Sequence, residues 1–182
     1  KVNEIDPKIK LKLNEVNFKL NPLNFEFEIS TLDPQIAINE KSIDLENIKF
    51  DLNISEYISN QNPISEISII SKENDIDRFV DFINEYDFNF ARNLIFKQIK
   101  KGKIKIISNI TFDKKSLKNI KYNFSGSVKE AEIKLPNQSK IENVKFDFLV
   151  DQDVINLNEI ELSLDKFFIA SEKIRIKKIN NY

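Results

Sequence analysis

The chain has 182 residues, 28 basic and 29 acidic, with a net charge of −1 and 41% apolar residues. It has no cysteine and no histidine, which excludes disulfides and thiolate metal sites and removes the commonest general base and metal ligand. These absences argue against an enzyme, and no cofactor or metal is expected; charges of both signs are interspersed, so no long-range field recruits nucleic acid.

From Ile9 the sequence alternates apolar and polar residues: Ile9, Leu11, Leu13, then Val16, Phe18, Leu20. A period of two with β-branched and aromatic residues predicts strands with one buried face. Asn21-Pro22 marks a turn, and Leu23, Phe25, Phe27 and Ile29 predict the next strand. Asp33-Pro34 breaks it before Ile36 and Ile38; Ile48, Phe50, Leu52, Ile54 and Ile64, Ile67, Ile69 follow, separated by Asn62-Pro63.

The stretch from Asn74 to Gly102 reads differently. Ile76, Phe79, Val80, Ile83 and Tyr86 follow the helical period, with Asn74 as N-cap and Asp75 and Asp77 near the helix's positive end. A second helix is predicted over Asn89 to Lys101, with Gly102 in the left-handed position that ends it. Alternation then resumes at Ile104, Ile106, Ile110, Phe112; Ile120, Tyr122, Phe124; Ile133, Leu135; Val144, Phe146, Phe148, Val150; Ile160, Leu162, Leu164; and Ile174, Ile176. The pattern divides the chain into a β-block over 1–73, a helical insertion over 74–102 and a second β-block over 103–182. About ten or eleven strands with short connections imply an antiparallel meander.

A small motif recurs: an aliphatic residue, two spacers, then Ile or Val followed by alternation. Copies begin at Leu13, Leu45, Ile64, Ile107, Leu117, Ile141 and Leu157. A step of three would flip the second aliphatic residue to the other face, so a β-bulge or a two-residue turn must absorb it. The copies are irregularly spaced, unlike the rungs of a solenoid.

More than twenty aliphatic and aromatic side chains then share one face, and leaving each exposed forgoes roughly 1.5–3 kcal/mol. A second sheet, barrel closure, or an apolar ligand in a curled open groove would all cover it. With two glycines in the chain, the kinks that turn barrel corners are scarce.

LENIKFDL, IENVKFDF, the helical insertion ARNLIFKQIKKGKI leading through a glycine into a strand, and the progression NIKYNFSGSVKEAEIKLP, VKFDFLV, IELSL resemble the AsmA-like family, in particular its YhdP-type branch, related to TamB. The resemblance covers nearly the whole chain. It implies a mainly β fold, a long curled antiparallel sheet forming an open hydrophobic groove. It further implies a section of an inner-membrane-anchored protein in the periplasm of a Gram-negative-type bacterium, conducting phospholipid toward the outer membrane. On that reading Val16, Phe18, Leu20, Phe25, Phe27, Ile48, Phe50, Leu52, Val144, Phe146, Phe148 and Val150 line the groove and meet phospholipid acyl chains, with contact to the membrane itself left to parts of the protein outside this section. A scaffold β-sandwich that assists envelope assembly without binding lipid is the alternative.

Three other features carry little chemistry. Asp75/Asp77 and Asp151/Asp153 suit caps and turns more than a metal. Ser125-Gly126-Ser127 has no histidine partner and reads as a turn or bulge. The lysines at 97, 100, 101, 103 and 105 suit a helix C-terminus followed by the wet face of a strand.

Overall fold

The computed structural model describes residues 8–59, 61–86, 98–113, 116–135 and 139–177. In chain order the strands are β1 (Ile9–Lys12), β2 (Glu15–Asn21), β3 (Glu26–Leu32), β4 (Gln35–Ile38), β5 (Lys41–Asn53), β6 (Ile64–Ser71), β7 (Asn74–Asp75), β8 (Ile99–Asp113), β9 (Ser116–Lys134), β10 (Lys140–Val150), β11 (Val154–Leu164) and β12 (Phe167–Lys177). The helices are α1 (Ile54–Ile58) and α2 (Ile76–Tyr86).

All twelve strands belong to one open antiparallel sheet that does not close into a barrel. β1 and β2 form one interrupted edge strand, and β3 and β4 form its interrupted neighbour; β5 pairs with both β3 and β4. The sheet continues through β6, β8, β9, β10 and β11 to β12 at the opposite edge. The β6–β8 pair joins the two β-blocks directly, so the sheet runs unbroken past the helical stretch.

The repeated motif bends this sheet. Register shifts fall at Leu45/Asn47, beside Ile64, and between Ile141 and Val144, as the three-residue step demands. Glu130, Asn143 and Glu159 lie on the adjacent strands β9, β10 and β11 and have positive φ of 53°, 53° and 49°. Their left-handed backbones align across the sheet, next to the paired residues Val144 and Ala131. Two copies differ. At Ile107 the ladder is regular on both sides, so Ile107 and Ile110 face opposite ways. Conversely Val128-Lys129-Glu130-Ala131 carries a bulge without having been picked out by its sequence.

Helix α2 forms where its period predicts, and it packs on the apolar face. Ile76 joins Val128, Ala131 and Val144 in one buried cluster, while Phe79 and Phe82 pack on Ile43, Leu45 and Ile48 in a second. Arg78 anchors it from outside: Nη1 reaches Asp44 Oδ2 at 2.7 Å and Nε donates to the Ser42 carbonyl at 2.7 Å. Asn74 is not its N-cap. It is 4% exposed in β7, where its side chain accepts from Asp44 N–H and donates to the carbonyls of Asp44 and Lys72. That arrangement satisfies buried backbone groups where β5 turns under the helix.

Four further expectations are corrected. Ile99, Lys100 and Lys101 are strand and Gln98 is a turn, not helix, and residues 89–97 of the expected second helix lie outside the described residues. Gly102 sits inside β8 with φ +137°, and a Cβ there would meet Ala131 Cα and Ile76 Cδ1 at 2.8 Å; it makes room for the helix instead of ending one. Ser125-Gly126-Ser127 lies in mid-strand in β9. The helix α1, read as the end of a strand, is capped by Asn53, whose side chain accepts from Ser55 and Glu56 N–H.

Candidate functional site

The pairing register places the apolar residues in rows that cross the sheet. One row runs Val16, Thr31, Ile48, Ile69, Ser108, Phe124, Val150, Ile155, Ile176, from one edge to the other. Beside it run Phe18, Ile29, Phe50, Ile67, Ile110, Tyr122 on one side and Ile106, Gly126, Phe148, Leu157, Ile174 on the other. Directly opposed residues of an antiparallel pair share a face. These side chains therefore form one continuous apolar surface.

The opposite face is polar along matching rows, such as Asn17, Ser30, Lys49, Ser68, Asn109, Asn123. It is laced with ion pairs: Glu28 meets Lys49 at 3.1 Å and Lys19 at 3.2 Å, Lys105 meets Glu46 at 2.7 Å, and Lys129 meets Glu73 at 3.0 Å. Lys49 first, then Lys19, holds the Glu28 carboxyl below its ordinary pKa. Within the basic cluster, Lys101 bridges Glu132 and Lys103 bridges Asp75, so both cations are spent on neighbouring strands.

Eleven of the twelve residues expected to line a groove share the apolar face. Phe25 does not: it sits in the β2–β3 turn with φ 53°, its carbonyl accepting from Ile54 N–H at 2.8 Å. The Asn21-Pro22 turn is longer than its sequence suggests, and it takes Leu23 and Phe25 out of the strand. The other eleven differ in cover. Ile48 and Val144 are buried in the two clusters packed with α2 and are core side chains. Phe27, Phe50, Leu52, Phe146, Phe148 and Val150 are half-buried, whereas Val16, Phe18 and Leu20 on the edge strand are 38%, 61% and 58% exposed.

Family models, curated proteins and solved structures offer no match to this chain.

Exposure rises toward both edges. At the far edge Phe167, Ile169, Ile174 and Ile176 of β12 are 72%, 45%, 43% and 47% exposed. Neither edge strand has a hydrogen-bonded neighbour on its outer side among the described residues. Helix α2 covers one end of the strands, and among the described residues the face is exposed toward both edges.

Gly126 shapes that open part. It stands opposite Phe148, and having no side chain it leaves space for the ring. The sequence places this glycine in a turn or bulge, although a glycine at an inward position of an alternating strand is also a signal of close approach.

No group of three or more acidic side chains suited to a metal occurs among the described residues. Asp151 Oδ1 accepts from the N–H groups of Asp153 and Val154 and so closes a turn, Asp77 Oδ1 accepts from Arg78 N–H, and Asp75 accepts from Lys103 Nζ. No described helix is long and apolar enough to cross a membrane.

Proposed function

We propose that this chain is a section of an apolar groove that carries phospholipid acyl chains across a cell envelope, as the resemblance to the AsmA-like family implies. The observation that supports this reading is the row from Val16 on one edge to Ile176 on the other, apolar at every position but Thr31 and Ser108, in a sheet that stays open. Burial of such a surface is non-directional and needs no catalytic group. An acyl chain fits a long apolar trough whose other face is charged, because the head group can stay in water at the rim while the tail replaces water along the row.

The bend at the bulge line supports the same reading. It keeps the apolar residues on both sides of each bulge on one face and bends the strands that carry it, as a groove requires. Helix α2 covers part of that face, and the lipid occupies the rest. Placement in the periplasm, as part of an inner-membrane-anchored protein, follows from the resemblance.

Gentle purification followed by lipid extraction and mass spectrometry tests the proposal. Phospholipid at near-stoichiometric amounts is expected; a lipid-free protein whose apolar face is covered by protein would favour the scaffold module instead.

A further inference from the structure

We propose that α2 is the floor of the groove and sets the length of acyl chain it takes. The inference rests on the lipid-groove reading above and adds the pose of the lipid. The tail lies along the strands, and the head group sits at the end of the sheet away from α2.

The helix lies across the strands, at one end of them. Phe79 and Phe82 pack on Ile43, Leu45 and Ile48 of β5, whereas Ile76 packs on Val128 and Ala131 of β9 and on Val144 of β10. Two polar contacts fix it at the margin of the sheet: Asp81 pairs with Lys41 at 2.8 Å, and Glu85 accepts from the Asn39 side chain, both partners standing at the β4–β5 turn. Ile76 is buried, but Phe79, Val80, Phe82 and Ile83 are only half-buried. The helix thus keeps apolar atoms uncovered beside an apolar face.

The β2–β3 turn, α1 and the β10–β11 turn stand at the opposite end of the same strands. None of the residues of α1 is buried, so among the described residues no counterpart of α2 packs on the face there. A phospholipid must keep its head group in water and its tail on apolar atoms. With α2 occupying one end of the strands, the head group belongs at the other, and the tail runs from there toward the helix. It crosses the apolar rows as it lies along a strand, and the lipid travels along them.

The depth fits a tail. Leu52 to Ile48 on β5 is four residue steps, and Val150 to Val144 on β10 is six, about 13 and 20 Å at the rise of a strand. A bilayer core about 30 Å thick holds two tails end to end, about 15 Å each. A tail that starts at the rim therefore ends against α2. Ile83 meets it there: it continues the helix face that carries Ile76, Phe79 and Val80, and it is not among the side chains that build the two buried clusters.

The test equilibrates the purified protein with vesicles holding short-, medium- and long-chain phosphatidylcholine in equal amounts and identifies the bound lipid by mass spectrometry. Ile83→Phe should shift the bound lipid toward shorter chains and Ile83→Ala toward longer ones, by about fourfold for each methylene displaced or admitted, with circular dichroism unchanged. Ile176→Ala, on the same face at the far edge, should leave the distribution as it is. If one of the Ile83 variants fails to fold, the other decides. Bound lipid with the same chain distribution in wild type and Ile83 variants would overturn the floor and leave the conduit standing; a wild-type protein that binds no lipid would sink both.

Discussion

Gly126 faces Phe148 so closely that a Cβ on the glycine would lie 2.7 Å from the ring's Cζ and 2.0 Å from the Lys105 carbonyl oxygen. In an ordinary strand, alanine in place of glycine gains roughly 0.5–1 kcal/mol. Here the added methyl must move backbone on β8 and a ring on β10. Gly126→Ala should therefore destabilise the fold by about 1–3 kcal/mol, read as a lower urea midpoint at unchanged slope.

The helix that covers part of the apolar face is held by polar contacts that respond to acid. The Arg78 guanidinium, and to a lesser degree Gln35, holds the Asp44 carboxyl below its ordinary value of 3.8. A carboxyl depressed in the folded state contributes stability above its unfolded pKa and loses it as the pH falls through the folded value. Hydrogen-exchange protection of Ile76–Tyr86 should thus stay level down to about pH 4 and fall below that. Asp44→Asn should lower protection at neutral pH and flatten the acid response. Both partners are about two-fifths exposed, so the loss should be near 1 kcal/mol.

The left-handed residues of the bulge line are a reservoir of strain. Asn143, Glu130 and Glu159 hold φ near +50°, a region that costs a residue with a Cβ of order 1 kcal/mol. Asn143→Gly or Glu130→Gly should be neutral to stabilising by up to about 1 kcal/mol, whereas Asn143→Val should destabilise by more than that. Thermal denaturation of the three variants checks the order.

Charge placed on the apolar face separates core from lining. Val128 is 7% exposed beneath α2, and Ile176 is 47% exposed on the same face at the edge. Val128→Asp should unfold or strongly destabilise the protein, by several kcal/mol, because the charge is buried unpaired. Ile176→Asp should cost under about 1 kcal/mol yet lower the lipid recovered with the protein. Phe146 discriminates poorly, since its ring already packs against the buried cluster around Val144.

Much of the sheet was legible because a two-residue period with short connections leaves few alternatives to antiparallel strands with one apolar side each; that the sheet stays open does not follow from alternation, which a sandwich or a barrel would share. The three-residue step in LENI and IENV also carried its own consequence, a bulge. Other features depended on partners far along the chain. Asn74 looks like a cap from its neighbours, but its hydrogen bonds go to Asp44 and Lys72. Ile99 and Lys101 look helical until Ile133 and Glu132 pair with them. Helix α1 had a local signal that was passed over: Asn53 followed three residues later by Glu56 is the spacing of a capping box. Phe25 was misplaced because a turn of four residues preserved the alternation by coincidence.

The central claim is that the apolar face, and not the charged one, holds acyl chains. A photo-reactive side chain placed at Phe124, Ile110 or Ile174 on the apolar face, and at the adjoining Asn123, Asn109 or Arg175 on the other, tests it in cells expressing the full protein. Phospholipid adducts are expected at the first three positions and absent from the second three. Equal labelling of both sets, or none at any position while the protein is folded, would contradict the account.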